Sequence, residues 1–117
     1  MRNKPSNNPN TRYPKQVDYN GIKGEELNKK VFILKQLSVI ILRLNSTLNR
    51  ENFYSNSSAN NMQVASSLFF ELMNNYKVNI SEEYTMLMNA DKYFKSNQFS
   101  NGLLIMRNLA GRFKFKS

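Results

Sequence analysis

Apolar residues recur at helical spacing in four segments of this chain, separated by short polar stretches. In the first, Leu27, Val31, Leu34, Leu37, Ile41, Leu44 and Leu48 fall three or four apart, the period that lines side chains along one face of an α-helix. The pattern predicts a helix from about Gly24 to Arg50. Glu25 and Glu26 stand in its first turn, where the helix dipole favours negative charge. Phe32, Ile33, Val39 and Ile40 widen the stripe, so Val31 to Leu44 reads as apolar nearly all round. A helix of that kind is expected at the centre of a fold, more buried than its neighbours.

The second segment, from about Asn60 to Tyr76, places Met62, Ala65, Leu68, Phe69, Leu72 and Tyr76 on one face, with Ser57 or Ser58 as the expected N-cap. The third opens at Ser81, read as a cap before Glu82 and Glu83, and closes near Lys95. Tyr84, Leu87, Met88 and Phe94 form its stripe, and Asp91 is the polar exception. The fourth, Phe99 to Phe113, carries Leu103, Met106, Leu109 and Phe113 on one face. Gly102 and Gly111 lower its helix propensity, and each is a candidate for a close helix contact. No segment alternates apolar and polar residues long enough to require a strand. The expected fold class is therefore all-α: a compact bundle of four helices, or five if the first bends, with an extended basic N-terminal tail. Pro5, Pro9 and Pro14 interrupt any helix near the start. Residues 1–22 thus read as a flexible or partner-ordered tail, with Tyr13 and Tyr19 as its large anchors, and 23–117 as the helical domain.

Composition narrows the chemistry sharply. The 117 residues include no Cys and no His. Disulfides, thiolate ligands, a cysteine nucleophile and the usual general base are excluded by that alone. No glycine-rich phosphate loop, GxSxG, HExxH or calcium-loop pattern occurs. Glu82 and Glu83 are the only adjacent carboxylates after position 26, and helix-dipole compensation accounts for them better than a metal does. The expectation is a non-catalytic protein with no cofactor and no metal. The apolar runs Val31–Leu34 and Leu37–Leu42 read as too short and too broken for a membrane span. The N-terminus lacks the apolar core of a signal peptide, so the expected location is cytoplasmic. Glycosylation-type triplets begin at Asn45, Asn56 and Asn79 and read as unmodified.

Net charge is +9, and it is unevenly placed. Residues 1–23 carry +4, 24–50 carry +3, 51–99 carry −2 and 100–117 carry +4. Basic flanks around a mildly acidic middle favour a polyanionic partner. Lys29, Gln36, Arg43 and Arg50 are seven apart, so they share one line about 30 Å long on the first helix. That line is either a solvated face or a basic ridge that follows a phosphate backbone. The closing GRFKFKS alternates cations with aromatic rings; it suits base stacking, and equally a frayed last turn whose cations meet the helix dipole. The candidate nucleic-acid-binding residues are Lys29, Arg43 and Arg50 on the first helix, with Arg107, Arg112, Lys114 and Lys116 near the end. A helix-turn-helix drawn from the second and third helices fails, because the third is acidic where base-reading residues belong. Binding would then be to RNA or DNA backbone, independent of sequence. The competing reading is a helical adaptor, chaperone or structural protein, for instance of a phage, that grips a protein partner through Met- and Phe-rich helices.

The order VFILKQLSVIILRLN (31–45), NRENFYSNSSA (49–59), QVASSLFFELMNNY and FSNGLLIMRNL resembles the small helical subunits of CRISPR effector complexes. It is most similar to those related to the C-terminal region of the type I large subunit, and broadly similar to the type III small subunits. The match spans roughly residues 27–115. Leu34-Lys35 stands where a Leu-Gly pair would be expected. The resemblance implies a non-catalytic bundle in an antiviral ribonucleoprotein, in contact with other protein subunits, in several copies per complex in many cases, holding nucleic acid through its backbone.

Overall fold

A computed structural model describes residues 18–114, with the side chains of 18–23 and Glu25 left aside. It contains four helices: α1 (Asp18–Glu51), α2 (Asn56–Asn75), α3 (Ser81–Lys95) and α4 (Phe99–Lys114). Among the described residues there is no strand. The chain divides into two units at Phe32/Ile33. The first contributes the opening turns of α1, and the second holds the rest of α1 with α2, α3 and α4.

Helix α1 runs unbroken, so the alternative of five helices is set aside. It also starts at Asp18, six residues ahead of the expected Gly24; nothing between Asp18 and Gly24 forbids helix once Pro14 is passed. Sixteen apolar residues form the core of the second unit. From α1 these are Ile33, Leu37, Ile41, Leu44 and Leu48; from α2, Met62, Ala65, Phe69 and Leu72; from α3, Leu87, Ala90 and Phe94; from α4, Met106, Leu109, Ala110 and Phe113. Each set recurs at intervals of three or four, with Leu109 and Ala110 adjacent on α4, the spacing that makes one apolar stripe per helix. Phe69 meets Tyr84 and Phe113 edge-on, each at 5.9 Å between ring centres.

The expectation that α1, apolar nearly all round from Val31 to Leu44, is more buried than its neighbours is corrected. Only one stripe is covered. Val39 is 50% exposed, and in the first unit Leu27, Val31 and Phe32 are exposed as well. A helix packed against neighbours on one side leaves its far side in solvent whatever the residues there. The reading of α1 as too broken to span a bilayer is also corrected. From Glu26 to Glu51 it is long and apolar enough to cross a membrane, by length and composition alone. Lys35 and Gln36 interrupt the short runs, and with Arg43 they lower the average over a longer window without taking it below what a span needs. A third of that window is buried inside the protein, the stripe through Leu37 and Leu48.

Two expected caps are displaced. Helix α2 begins at Asn56, and its cap is Ser55, whose side chain accepts a hydrogen bond from the Ser58 amide at 3.1 Å. Ser58 itself is buried. The run Ser55-Asn56-Ser57-Ser58 offers four capping residues, and the earliest of them is the one used. At α3 the cap position is Ile80, without a side-chain cap. Ser81 is already helical there, and Glu82 and Glu83 in the first turn meet the exposed amides' dipole instead.

The connections close without glycine. Asn52, Lys77 and Asn97 adopt positive φ of 63°, 57° and 62°. At the end of α3 the amides of Ser96 and Gln98 donate to the carbonyls of Lys92 and Tyr93, a C-terminal capping arrangement that needs a left-handed residue at 97. Asparagine tolerates that conformation better than other non-glycine residues.

The α3–α4 contact is unusually close at Gly102, which is buried. A Cβ there would strike the Phe94 ring, nearest Cε1, with Cδ1 at 2.6 Å and Cζ at 2.8 Å. Gly111 is exposed, with nothing within 4 Å of such a Cβ. Of the two glycines only Gly102 marks a close approach.

Candidate nucleic-acid interface

The sequence-derived cations separate into distinct settings. Arg43 and Arg50 lie on α1, seven residues apart on one line, and both are exposed. Lys35, which sequence reasoning did not single out, is exposed on α1 too. Val39, half-exposed, sits one turn from both Lys35 and Arg43. Among the described residues the ion pairs are Lys95–Asp91, Arg112–Glu82 and Arg112–Glu83, so none engages Lys35, Arg43 or Arg50. In the first unit, Lys29 is exposed on α1.

Arg107 reaches from α4 to the end of α1, donating from Nη2 to Asn49 Oδ1 at 3.2 Å. Asn49 in turn donates to the Asn45 carbonyl at 2.7 Å and to Asn45 Oδ1 at 3.1 Å. These bonds anchor the guanidinium at the same level of α1 as Arg50. Successive helix residues are about 100° apart, so Arg107 meets the face next to the one bearing Arg43 and Arg50. One of its five N–H donors is used in this bond.

Arg112 is placed differently from expectation. Its Nη1 donates to Glu82 Oε1 at 2.9 Å and to Glu83 Oε2 at 3.0 Å. Glu82 foremost, then Glu83, raise the guanidinium pKa above its ordinary value. The trio carries a net charge of −1, so Arg112 ties α4 to the start of α3 and adds nothing to a cationic surface. Glu82 and Glu83 do two jobs: they face the α3 dipole and they hold Arg112. The sequence offered no signal for this pairing, since 30 and 29 residues separate the partners. Lys114 is exposed in the last turn of α4. Lys116 lies outside the described residues, as do Tyr13 and most of the N-terminal tail.

Asp91, the polar exception on α3, has a structural explanation. The Tyr54 hydroxyl donates to Asp91 Oδ1 at 2.6 Å, and Lys95 Nζ lies 3.0 Å from Oδ2. Tyr54 also stacks on Phe94 at 4.8 Å between ring centres. The α1–α2 loop is thereby fixed onto α3. Burial, then the hydrogen bond to Asp91 and its negative charge, push the phenol pKa well above the ordinary 10.0. Beside this network, α2 and α3 form a groove lined by Asn60, Gln63, Met88, Asp91 and Lys95. Among the described residues no three carboxylates converge as metal ligands would.

The surface that remains is chemically simple: exposed cations on α1, with Arg107 docked at its C-terminal end. It supplies positive charge exposed to solvent. No protein-family model, no curated protein and no solved structure matches this chain.

Proposed function

We propose that this protein is a non-catalytic small subunit of a ribonucleoprotein, CRISPR effector-like, that holds RNA or DNA by its backbone. The observation that carries the proposal is the state of Arg43 and Arg50. They share one line of α1, stand in solvent, and have no carboxylate partner among the described residues. The carboxylates of α3 are engaged elsewhere, by Arg112, Lys95 and Tyr54. A net charge of +9 adds long-range attraction for a polyanion. Lys35 and Arg107 extend the surface, and in the first unit Lys29 is a further exposed cation. Such contacts position a backbone without reading bases. The order of segments resembling CRISPR small subunits supports the same reading.

The competing adaptor reading rests on phenylalanine rather than methionine, since Phe53 and Phe70 are more than half exposed. Met62 and Met106 are buried, and Met73, Met86 and Met88 are half-buried. These methionines fill the core and its edge, and leave little thioether surface for a partner.

The test is binding of labelled single-stranded and duplex RNA and DNA to the full chain, compared with the triple variant Lys29→Glu, Arg43→Glu, Arg50→Glu. All three positions are exposed, so the fold survives the change. Loss of binding in the triple variant, with Arg112→Ala near wild type, is the expected result. Undiminished binding by the triple variant would exclude the proposal.

A further inference from the structure

Helix α2 carries a single charge among its 20 residues, the carboxylate of Glu71. In a chain of net charge +9, a carboxylate has many cations to choose from. The others on the helices that follow α1 have found theirs. Glu82 and Glu83 hold Arg112, and Asp91 holds Lys95 and the Tyr54 hydroxyl. Glu51 stands exposed at the end of α1. Glu71 is half-buried, and none of the ion pairs among the described residues engages it. The next cation along the chain, Lys77, is held elsewhere: its Nζ donates to the Asn74 carbonyl at 3.0 Å. A carboxylate that is partly desolvated and unpaired is poised for a cation from outside the chain.

What surrounds Glu71 suits the same kind of ligand. Glu71 lines an open groove of about 730 Å³ together with Ser67, Phe70, Asn74 and Asn75 of α2 and Tyr84 of α3. Phe70 is 57% exposed. Its ring centre lies 6.4 Å from that of Tyr84, with the two planes inclined at 43°. Tyr84 is backed on the core side by the buried Phe69, edge-on at 5.9 Å, so its ring is set before any ligand arrives. The faces of such rings are negative and attract cations. Ser67, Asn74 and Asn75 add side-chain oxygens that accept hydrogen bonds. The adjoining start of α3 is acidic as well, since Glu82, Glu83 and Arg112 together carry −1.

The lining discriminates among cations. A metal ion needs several oxygen or nitrogen ligands of its own, and among the described residues no three metal-binding side chains converge. An alkylammonium is a compact, strongly hydrated point charge, and an open groove leaves most of that hydration in place. A quaternary ammonium has no N–H to give to Glu71 or to the neighbouring amide oxygens. A guanidinium is planar and weakly hydrated, stacks on aromatic faces and presents a fork of donors to a carboxylate. We propose that Phe70, Glu71 and Tyr84 form a guanidinium-binding site on the α2–α3 face. The Glu71 carboxylate accepts the forked hydrogen bonds, the Phe70 ring stacks on the guanidinium plane, and Asn74 and Asn75 accept from the remaining N–H groups. The site uses no residue of α1 and stands apart from nucleic-acid binding.

Titration of the isotope-labelled full chain, followed by amide chemical shifts, tests this. The probes are arginine blocked at both ends, its neutral isostere citrulline and lysine blocked in the same way, and a short peptide with one arginine between glycines. Blocked arginine should give saturable shifts confined to α2 around Phe70 and Glu71 and to α3 around Tyr84. Lysine should bind more weakly, and citrulline should give no saturable shift. Glu71→Gln, which keeps the shape and removes the charge, should weaken arginine binding by about tenfold or more. Phe70→Leu, at an exposed position, keeps an apolar side chain and should weaken it by about two- to fivefold. The spectrum away from the groove reports that each variant is folded. Tighter binding of the peptide than of blocked arginine assigns the site to an arginine borne on a polypeptide, and equal binding assigns it to a free guanidinium compound. No saturable shift at α2 and α3 with any probe overturns the proposal. So does citrulline binding as well as arginine, or a folded Glu71→Gln that binds arginine like wild type.

Discussion

Replacing each of the two glycines of α4 by alanine should move stability in opposite directions. In a helix interior, alanine exceeds glycine by roughly 1 kcal/mol in propensity. At Gly111 nothing lies within 4 Å of the new methyl group, so the gain is realised in full or nearly so. At Gly102 the methyl would overlap the Phe94 ring, with Cδ1 at 2.6 Å and Cζ at 2.8 Å. That ring has little room to yield. It is stacked on Tyr54 at 4.8 Å and tilted against Phe99 at 5.2 Å. Overpacking of a filled core costs about 1–3 kcal/mol. Set against the propensity gain, Gly102→Ala should be destabilising by about 1 kcal/mol. The two variants should therefore differ by about 2 kcal/mol. For a domain of this size each kcal/mol moves Tm by roughly 4–8 °C. Thermal melts of wild type and both variants, followed by circular dichroism, check the ordering. Gly102→Ala melting at or above Gly111→Ala would refute the close α3–α4 approach and the immobility of Phe94.

Tyr54→Phe removes a hydrogen bond to a carboxylate and should cost about 1.5–3 kcal/mol in chemical denaturation. The same variant should change the alkaline limb of the stability profile. Because the folded-state pKa of Tyr54 is raised above the ordinary 10.0, the folded chain keeps a proton that the unfolded chain releases. The Tyr54 contribution is then complete below pH 10 and declines as pH rises beyond it. A pH series of melts should show a shallower alkaline decline in Tyr54→Phe than in wild type. Ser55→Ala should cost about 1 kcal/mol through loss of the α2 cap, whereas Ser81→Ala should change stability by less than about 0.5 kcal/mol. Paired urea titrations separate the two serines.

The helical architecture was legible because helix spacing is a local property. Leu37, Ile41, Leu44 and Leu48 declare one buried stripe, and the ends of α3 and α4 fall where the pattern stops or nearly so. The ends governed by competition were harder to place. In Ser55-Asn56-Ser57-Ser58 each residue can cap a helix, and local sequence does not choose between them. At Ser81 the signature was present and the bond is absent. Exposure of Phe32 and Val39 was likewise hidden, because hydrophobicity alone does not say which side of a long helix its neighbours occupy. The candidate surface was readable in part. Residues seven apart on a helix share a line, which placed Arg43 with Arg50. The partners of Arg112 and Arg107 were not readable, because Glu82, Glu83 and Asn49 lie 29 to 58 residues away along the chain.

Fixed cations on α1 are the centre of the functional proposal, and the salt dependence of binding tests them most directly. Each phosphate neutralised on duplex contributes roughly −0.9 to the slope of log K against log salt. Wild type should bind RNA or DNA with a steeply negative slope, and Arg43→Gln should reduce its magnitude by about one. A slope near zero in wild type, or the same slope in Arg43→Gln, would mean that α1 does not meet a phosphate backbone.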